Sequence, residues 1–270
     1  AKSKLGPPAR KDDETVEDKT SCLHQKQKTG EKVTASFWES GTVNSKKPPT
    51  LCVPAASVLM GALYGARMAR CDLLRPVQSL ATYLHEWDSD CDERIHSLMS
   101  YIQSAIHWRQ VAWVGDDVSK IGPHLYADAD FAGCSRSLKS TSGAQLCLEG
   151  PHSCFPLAAS STRQTCLSFS TPEAEIVALN HALRKYALPT LDLWDTILPP
   201  GYVGVFHEDN QACINIIRSG KNPTIRYLDR THGISLQFLH NCLSPSSDMK
   251  LPLVLNYTDT KRMIADIHTK

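Results

Sequence analysis

Apolar positions follow a helical period along the first part of this chain and a strand-like one after Gly115. The helical period starts at about Ala55 and runs to Ala69, with Leu59, Leu63 and Ala66 on its apolar side. A second helix is predicted from Asp72, a suitable N-cap, with Leu73, Val77, Leu80, Ala81 and Leu84 on one stripe. Its Pro76 falls near the first turn, where proline is tolerated. A third spans about Asp92 to Trp108 through Ile95, Leu98, Met99, Ile102 and Ile106. Beyond Gly115 the spacing predicts strands at His124–Phe131, Gly143–Leu148, Cys154–Ala159 and Thr165–Phe169. A helix follows, capped by Thr171 with Pro172 in first position, and continues through Ile176, Leu179, Ala182, Leu183 and Tyr186. A strand at Tyr202–His207 leads into a helix from about Asn210 to Arg218, with Gly220 as C-cap. A helical stretch over Leu228–Cys242, a last strand at Leu251–Tyr257 and a helix start near Lys261 complete the pattern. Meander-like strands followed by alternating units predict an α/β domain with a mixed sheet.

Composition changes this picture in three places. Residues 1 to about 50 are rich in Lys, Glu, Asp, Ser and Pro and lack an apolar period, which reads as a disordered arm or linker. The net charge of +1 makes any basic, nucleic-acid-binding surface a local feature. No apolar run is long enough for a membrane span, and the polar N-terminus is unlike a signal peptide. The chain is therefore expected to be intracellular (in the cytoplasm, a virus-like particle or the nucleus) and not secreted. Its ten cysteines then read as reduced thiols, and the lack of a C-x-x-C pair argues against structural zinc. Without secretion the Asn256-Tyr257-Thr258 glycosylation pattern carries no weight.

Four acids stand out by their settings. Asp128 lies within a strand candidate beside Leu125, Tyr126 and Phe131, although aspartate is depleted in strands. Glu175 falls on or beside the apolar stripe of its helix. Asp209 follows the strand ending at His207 and precedes a helix, the place where open α/β sheets gather ligands. Asp266 stands between Met263-Ile264-Ala265 and Ile267. Singly, such residues are more often caps or turn residues. Together, four carboxylates at one sheet edge could not all ionise without cations to compensate them. Hard oxygen ligands suit Mg²⁺, with Mn²⁺ as a substitute. Glu173 reads as a dipole-stabilising first-turn residue, and Asp130 and Glu208 as solvent-facing neighbours of the important positions. His232, His240 and His268 read as surface or structural residues.

The segment from Tyr126 to Lys270 resembles the ribonuclease H domain of copia-type LTR-retrotransposon polyproteins. The resemblance rests on Asp128-Ala129-Asp130-Phe131-Ala132-Gly133, Lys139-Ser140-Thr141-Ser142-Gly143, Ser170-Thr171-Pro172-Glu173-Ala174-Glu175, Asp209-Asn210-Gln211-Ala212, Lys221-Asn222-Pro223 and Ala265-Asp266-Ile267-His268-Thr269-Lys270, in the family's order. The helical unit from about Ala55 to Gln103 resembles the connection that precedes this domain, with Arg70-Cys71-Asp72 where the family usually has Arg-Pro-Asp. The resemblance implies an α/β, ribonuclease H-like fold, a mixed five-stranded sheet flanked by helices, preceded by a small helical unit. The expected organisation is an arm over 1–50, a connection-like region over 51–118 and the ribonuclease H-like domain over 119–270.

The same resemblance implies a metal-dependent endonuclease that hydrolyses the RNA strand of RNA–DNA hybrids during retrotransposon reverse transcription. Its catalytic and metal-binding acids would be Asp128, Glu175, Asp209 and Asp266. Asp128 would bridge two ions, Asp209 and Glu175 completing one site and Asp266 the other. Two such ions about 3.5–4 Å apart can activate a water and stabilise the leaving oxygen of a phosphodiester. The products would be a 5′-phosphate and a 3′-hydroxyl, and the implied partners are the hybrid and reverse-transcriptase domains of the same polyprotein. RNA selectivity needs contacts to 2′-hydroxyls, for which Ser170, Thr171, Asn210 and Gln211 are candidates beside the acids. Lys139, Lys221, Arg226 and Arg230 are candidates for phosphate contacts, or else form a solvated basic loop.

Three rival readings are weaker. Val114-Gly115-Asp116-Asp117 echoes a polymerase motif but lacks its aromatic residue and reads as a polar turn. Integrase-type strand transfer uses three acids in a related fold, but the surrounding motifs here differ. Ser219-Gly220-Lys221 lacks the glycine spacing of a phosphate-binding loop. The main alternative is a non-enzyme: an inactive, truncated or repurposed retroelement fragment that only binds nucleic acid. On this reading Asp266, four residues from Lys270, belongs to a helix too short to hold it firmly.

Overall fold

Three helices occupy the first part of the computed structural model, which describes residues 48–244 and 251–270. The arm expected over residues 1–50 lies, up to residue 47, outside the described residues. Helix α1 spans Cys52–Met68, a 3₁₀ turn covers Cys71–Leu73, α2 spans Leu74–Ala81 and α3 Ser89–Ser104. Asp88 caps α3 by accepting from the Cys91 N–H at 2.9 Å. Asp72 does not cap α2 as its position suggested. Its carboxylate instead accepts from Arg70 Nη2 at 2.8 Å and Tyr101 Oη at 2.9 Å, tying the start of α2 to α3.

The sheet is mixed and five-stranded, in the order β3-β2-β1-β4-β5. Strands β1 (Gly122–Asp130), β2 (Thr141–Gly150) and β3 (Ser153–Arg163) form an antiparallel meander, whereas β4 (Gly204–Glu208) and β5 (Leu253–Tyr257) run parallel to β1. The two faces of β1 follow its period-2 alternation. Leu125 and Ala127 enter the main core with Ala144, Leu146, Ile176, Leu179 and Phe206. Tyr126 turns to the opposite face and packs on Met263 and Ala265. Asp128 shares that second face and stands opposite Gly143 of β2.

Five of the six expected strands form. Thr165–Phe169 is irregular because polar ties turn the chain there. Gln164 Nε2 donates to Ser142 Oγ and to the Ala174 carbonyl, both at 3.0 Å, and Ser168 Oγ donates to Gln164 Oε1 at 3.1 Å. Helix α4 (Thr171–Ala182) is capped one residue earlier than expected, since Ser170 rather than Thr171 accepts from the Glu173 N–H. The helical path does not stop at Tyr186. A π turn at Leu183–Ala187 and a 3₁₀ turn at Leu188–Thr190 lead into α5 (Leu191–Ile197). A π turn shifts the phase of the apolar stripe, which hides this continuation from a fixed helical period.

Helix α6 (Gln211–Ser219) has Asn210 as N-cap and Gly220, at φ 64°, as left-handed C-cap. The single helix expected over Leu228–Cys242 is two: α7 (Leu228–His232) and α8 (Leu236–Leu243). Gly233 at φ 65° ends the first, and Ser235 caps the second through Phe238 N. The chain after β5 forms 3₁₀ turns at Thr260–Arg262 and Ile264–His268 rather than an α-helix. Among the described residues no helix is long and apolar enough to cross a membrane, and every cysteine is a free thiol.

Gly143 lets the last turn approach the sheet. A Cβ at this position would lie 2.7 Å from Thr269 Cγ2, 2.9 Å from the Ala265 carbonyl and 3.1 Å from His268 Cβ. Gly143→Val is therefore expected to destabilise the protein by about 1–3 kcal/mol through overpacking. Urea denaturation checks this, and faster amide exchange confined to residues 264–270 would locate the damage.

Candidate metal centre

The centre is built where the carboxyl ends of β1 and β4 meet the first turns of α4. Asp128 projects from β1, Glu175 from α4, and Asp209 follows the last residue of β4. Each offers a carboxylate oxygen, and the three oxygens lie within 4.8 Å of one another. Asp128 and Glu175 are buried and Asp209 is half-buried. Asp266, the fourth expected acid, is outside this group of three. It lies in the last 3₁₀ turn, where Lys270 Nζ pairs with its Oδ1 at 2.7 Å.

Glu208 corrects the sequence-based expectation. Rather than facing solvent, it is wholly buried next to Asp209. Its Oε1 accepts from the Asn210 N–H at 3.1 Å. The alternation of β4 already implied this, because Gly204, Phe206 and Glu208 are its buried positions. Asp130 is also not a free neighbour: it shares the face of Asp128 and pairs with Arg75 of α2 at 3.3 Å. Glu173 does more than favour the helix dipole. It is fully buried and accepts from the Phe169 N–H at 2.9 Å and Tyr227 Oη at 3.0 Å, while His232 Nε2 lies 3.1 Å away. His232 is thus a structural residue, as is His268, which is buried against Gln145 Oε1 at 2.8 Å. His240 sits 3.1 Å from the Ile217 carbonyl.

Burial and like charge act together on the acids. Burial, augmented by the charges of Asp266 and Asp209, pushes Asp128 up to about 6 against the opposing hydrogen bond from Thr269. Glu175 is pushed up to about 10, first by burial and then by Glu208, Asp128 and Asp209. Glu208 is held well above the usual carboxylate range, chiefly by burial. Burial alone would lower Lys270, but its pair with Asp266 and the nearby charges of Asp128 and Asp209 hold it above the ordinary lysine value.

The donor set suits a hard divalent cation. The three grouped ligands are all carboxylates. Glu175 Oε2 and Glu208 Oε2 are buried and have no hydrogen-bond partner among the described residues. A buried acceptor in that condition costs free energy unless something else satisfies it.

The nominated nucleic-acid contacts are spread over several elements. Ser170 and the exposed Thr171 stand at the start of α4, one turn before Glu175. Asn210 Oδ1 is used in capping α6, and the exposed Gln211 donates to Asn215 Oδ1 at 3.2 Å. Lys139 is half-buried in the β1–β2 connection. Lys221 and Arg226 are exposed on the stretch joining α6 to α7, and Arg230 is exposed on α7. Val114–Asp117 is irregular chain with a bend at Asp116 rather than a defined turn, and Asp117 caps a 3₁₀ turn at Val118–Lys120.

A central strand, the first helix after the meander and the end of the fourth strand thus each supply one acid. The fold is the expected mixed five-stranded α/β sheet flanked by helices. No protein-family model matches the chain. A foamy viral protease–reverse transcriptase in complex with an RNA/DNA hybrid shares 16% identity over 84% of this chain, with a TM-score of 0.43. The match takes in 27% of that longer chain, so this chain spans about a quarter of its length. The N-terminal RNase H domain of rv2228c from Mycobacterium tuberculosis, solved as a fusion with maltose binding protein, shares 15% identity. That match covers 55% of this chain and 91% of the other, with a TM-score of 0.34.

The acids give the metal-free protein a definite pH dependence. Asp128 and Glu175 hold their protons more tightly folded, at about 6 and about 10, than the unfolded values of about 4 allow. Their stabilising contribution is full below about pH 4 and declines as pH rises through about 6 and onward toward 10. Glu175→Gln should therefore raise the metal-free melting temperature at pH 8 by about 3 °C and abolish the further rise that Mn²⁺ gives the wild type. Scanning calorimetry at pH 5.5 and 8, with and without Mn²⁺, checks both.

Proposed function

We propose that this protein is a divalent-metal-dependent endonuclease that cleaves the RNA strand of RNA–DNA hybrids and serves retrotransposon reverse transcription. The observation that carries this reading is the convergence of Asp128, Glu175 and Asp209 at the carboxyl ends of the central strands. Residues 51–118 would act as a connection and 119–270 as the nuclease domain, alongside reverse-transcriptase domains of the same polyprotein.

Asp128, Glu175 and Asp209 would hold Mg²⁺, or Mn²⁺ in its place, with Asp266 contributing to a second position. Bound there, the cations would supply Lewis-acid polarisation of the phosphodiester and a lowered pKa for water. The chain's own residues position the reactants. Asn210, Gln211, Ser170 and Thr171 would meet 2′-hydroxyls and riboses of the RNA strand, from positions beside Asp209 and Glu175. Lys139, Lys221, Arg226 and Arg230 would bind phosphates and fix the register of the duplex without reading sequence. Lys270 lies close enough to the acids for its charge to offset part of their repulsion.

Labelled RNA–DNA hybrid, duplex DNA and duplex RNA, incubated with and without Mg²⁺, test the activity. Cleavage of only the hybrid's RNA strand, and only with Mg²⁺, is expected; binding without cleavage would make the chain a non-enzymatic fragment. Asp209→Asn should lower the rate by about 100-fold or more, exceeding the usual effect of changing a residue behind a metal ligand. Alanine at Arg226 or Arg230 should reduce the slope of log affinity against log salt by about one per lost phosphate contact.

A further inference from the structure

The last turn of the chain is fastened to the sheet by a residue of the helical region. Arg75 of α2 is buried, and its Nε donates to the Thr269 carbonyl at 2.7 Å. Its Nη2 reaches Asp130 Oδ2 at 3.3 Å, and its Nη1 lies 3.4 Å from Gln78 Oε1. Thr269 is completely buried, and its hydroxyl donates to Asp128 Oδ2. The same hydroxyl lies 3.1 Å from the Asp266 carbonyl, closing the turn that carries Asp266 and Lys270. One guanidinium thus grips both ends of a short path: directly to Asp130, and through Thr269 to Asp128. Gly133 leaves room for this arrangement, since a Cβ there would collide with the Asp130 carboxylate.

We infer that Thr269 and Arg75 are positioning residues for Asp128, so that the helical region preceding the sheet is a working part of the metal centre rather than a spacer. The inference rests on the metal-centre reading, though not on the nuclease activity. Thr269 fixes one of the two carboxylate oxygens of Asp128 and limits rotation of the group. Arg75 holds Thr269 in place by its carbonyl, where a five-residue 3₁₀ turn has few internal hydrogen bonds to do so. Neither residue needs to touch substrate. A hydroxyl or carbonyl behind a metal ligand acts by orientation, and its loss commonly costs 10–100-fold in metal affinity. A residue that merely stabilised the fold would change the melting temperature without changing the metal affinity of the folded protein.

The test uses the full chain with Thr269→Val, Thr269→Ser, Arg75→Ala and Arg75→Lys. Isothermal titration with Mn²⁺ gives the metal affinity, amide exchange reports on residues 264–270, and hybrid cleavage gives kcat and KM separately. Thr269→Val should weaken Mn²⁺ binding about tenfold and lower kcat with KM little changed, while Thr269→Ser restores both. Arg75→Ala should weaken Mn²⁺ binding in the same direction and speed exchange at Thr269 and Lys270. Arg75→Lys, which can keep one of the two bonds, should fall between. If Arg75→Ala fails to fold, the Val and Ser pair at Thr269 and the Lys variant at Arg75 still decide the matter. Wild-type Mn²⁺ affinity in Thr269→Val, or unchanged exchange in folded Arg75→Ala, would overturn the inference. A wild type that binds Mn²⁺ but cleaves no hybrid, with the same affinity losses in the variants, would overturn the nuclease reading and leave the positioning roles standing.

Discussion

Negative charge crowded into an apolar setting is the constraint on which this structure turns. Asp128, Glu175 and Glu208 are buried at the end of a sheet, beside Asp209 and within the electrostatic reach of Asp266. Water cannot screen them as it would at a surface, so each added acid raises the cost of ionising the others. Most of the neighbouring polar architecture answers that cost. Lys270 brings a positive charge, Arg75 neutralises Asp130, Thr269 donates to Asp128, and the Asn210 amide donates to Glu208. Glu175 Oε2 and Glu208 Oε2 receive no such answer among the described residues.

The fold makes this concentration possible by separating two tasks. One face of β1 supplies Leu125 and Ala127 to a large apolar core with α4, which fixes the helix that carries Glu175. The other face supplies Tyr126 and Asp128 to a thin layer closed by Met263, Ala265 and His268. The core side provides rigidity, and the thin side admits polar groups. The gap at Gly143 is what allows the thin layer to lie so close.

Much of this was legible in the sequence, and the failures have physical causes. The setting of Asp128 was readable because an aspartate in a strand-like run conflicts with local propensity, and that of Asp209 because open α/β sheets gather ligands at the carboxyl ends of their strands. Glu175 was placed by helical spacing. Glu208 was read as a solvent-facing neighbour of Asp209, although alternation along β4 puts it in line with the buried Phe206. The break between α7 and α8 was signalled by Gly233 and Ser235, but the apolar period runs through it. The role of Arg75 had no local signal: Asp130 and Thr269 are 55 and 194 residues away, and only tertiary packing brings them to it. The setting of Asp266 likewise depends on a 3₁₀ turn whose shape is imposed by the sheet beneath it.

The grip on Glu173 has a consequence for its neighbour two positions along. Glu173 is clasped by the Phe169 amide, Tyr227 and His232, so the beginning of α4 is pinned to both the incoming loop and α7. A helix anchored at that point cannot roll to carry Glu175 outward. Many crowded acids find relief by swinging into solvent, and here that escape is closed. Relief must come to the site, as a proton or as a cation, because the carboxylate has nowhere to go.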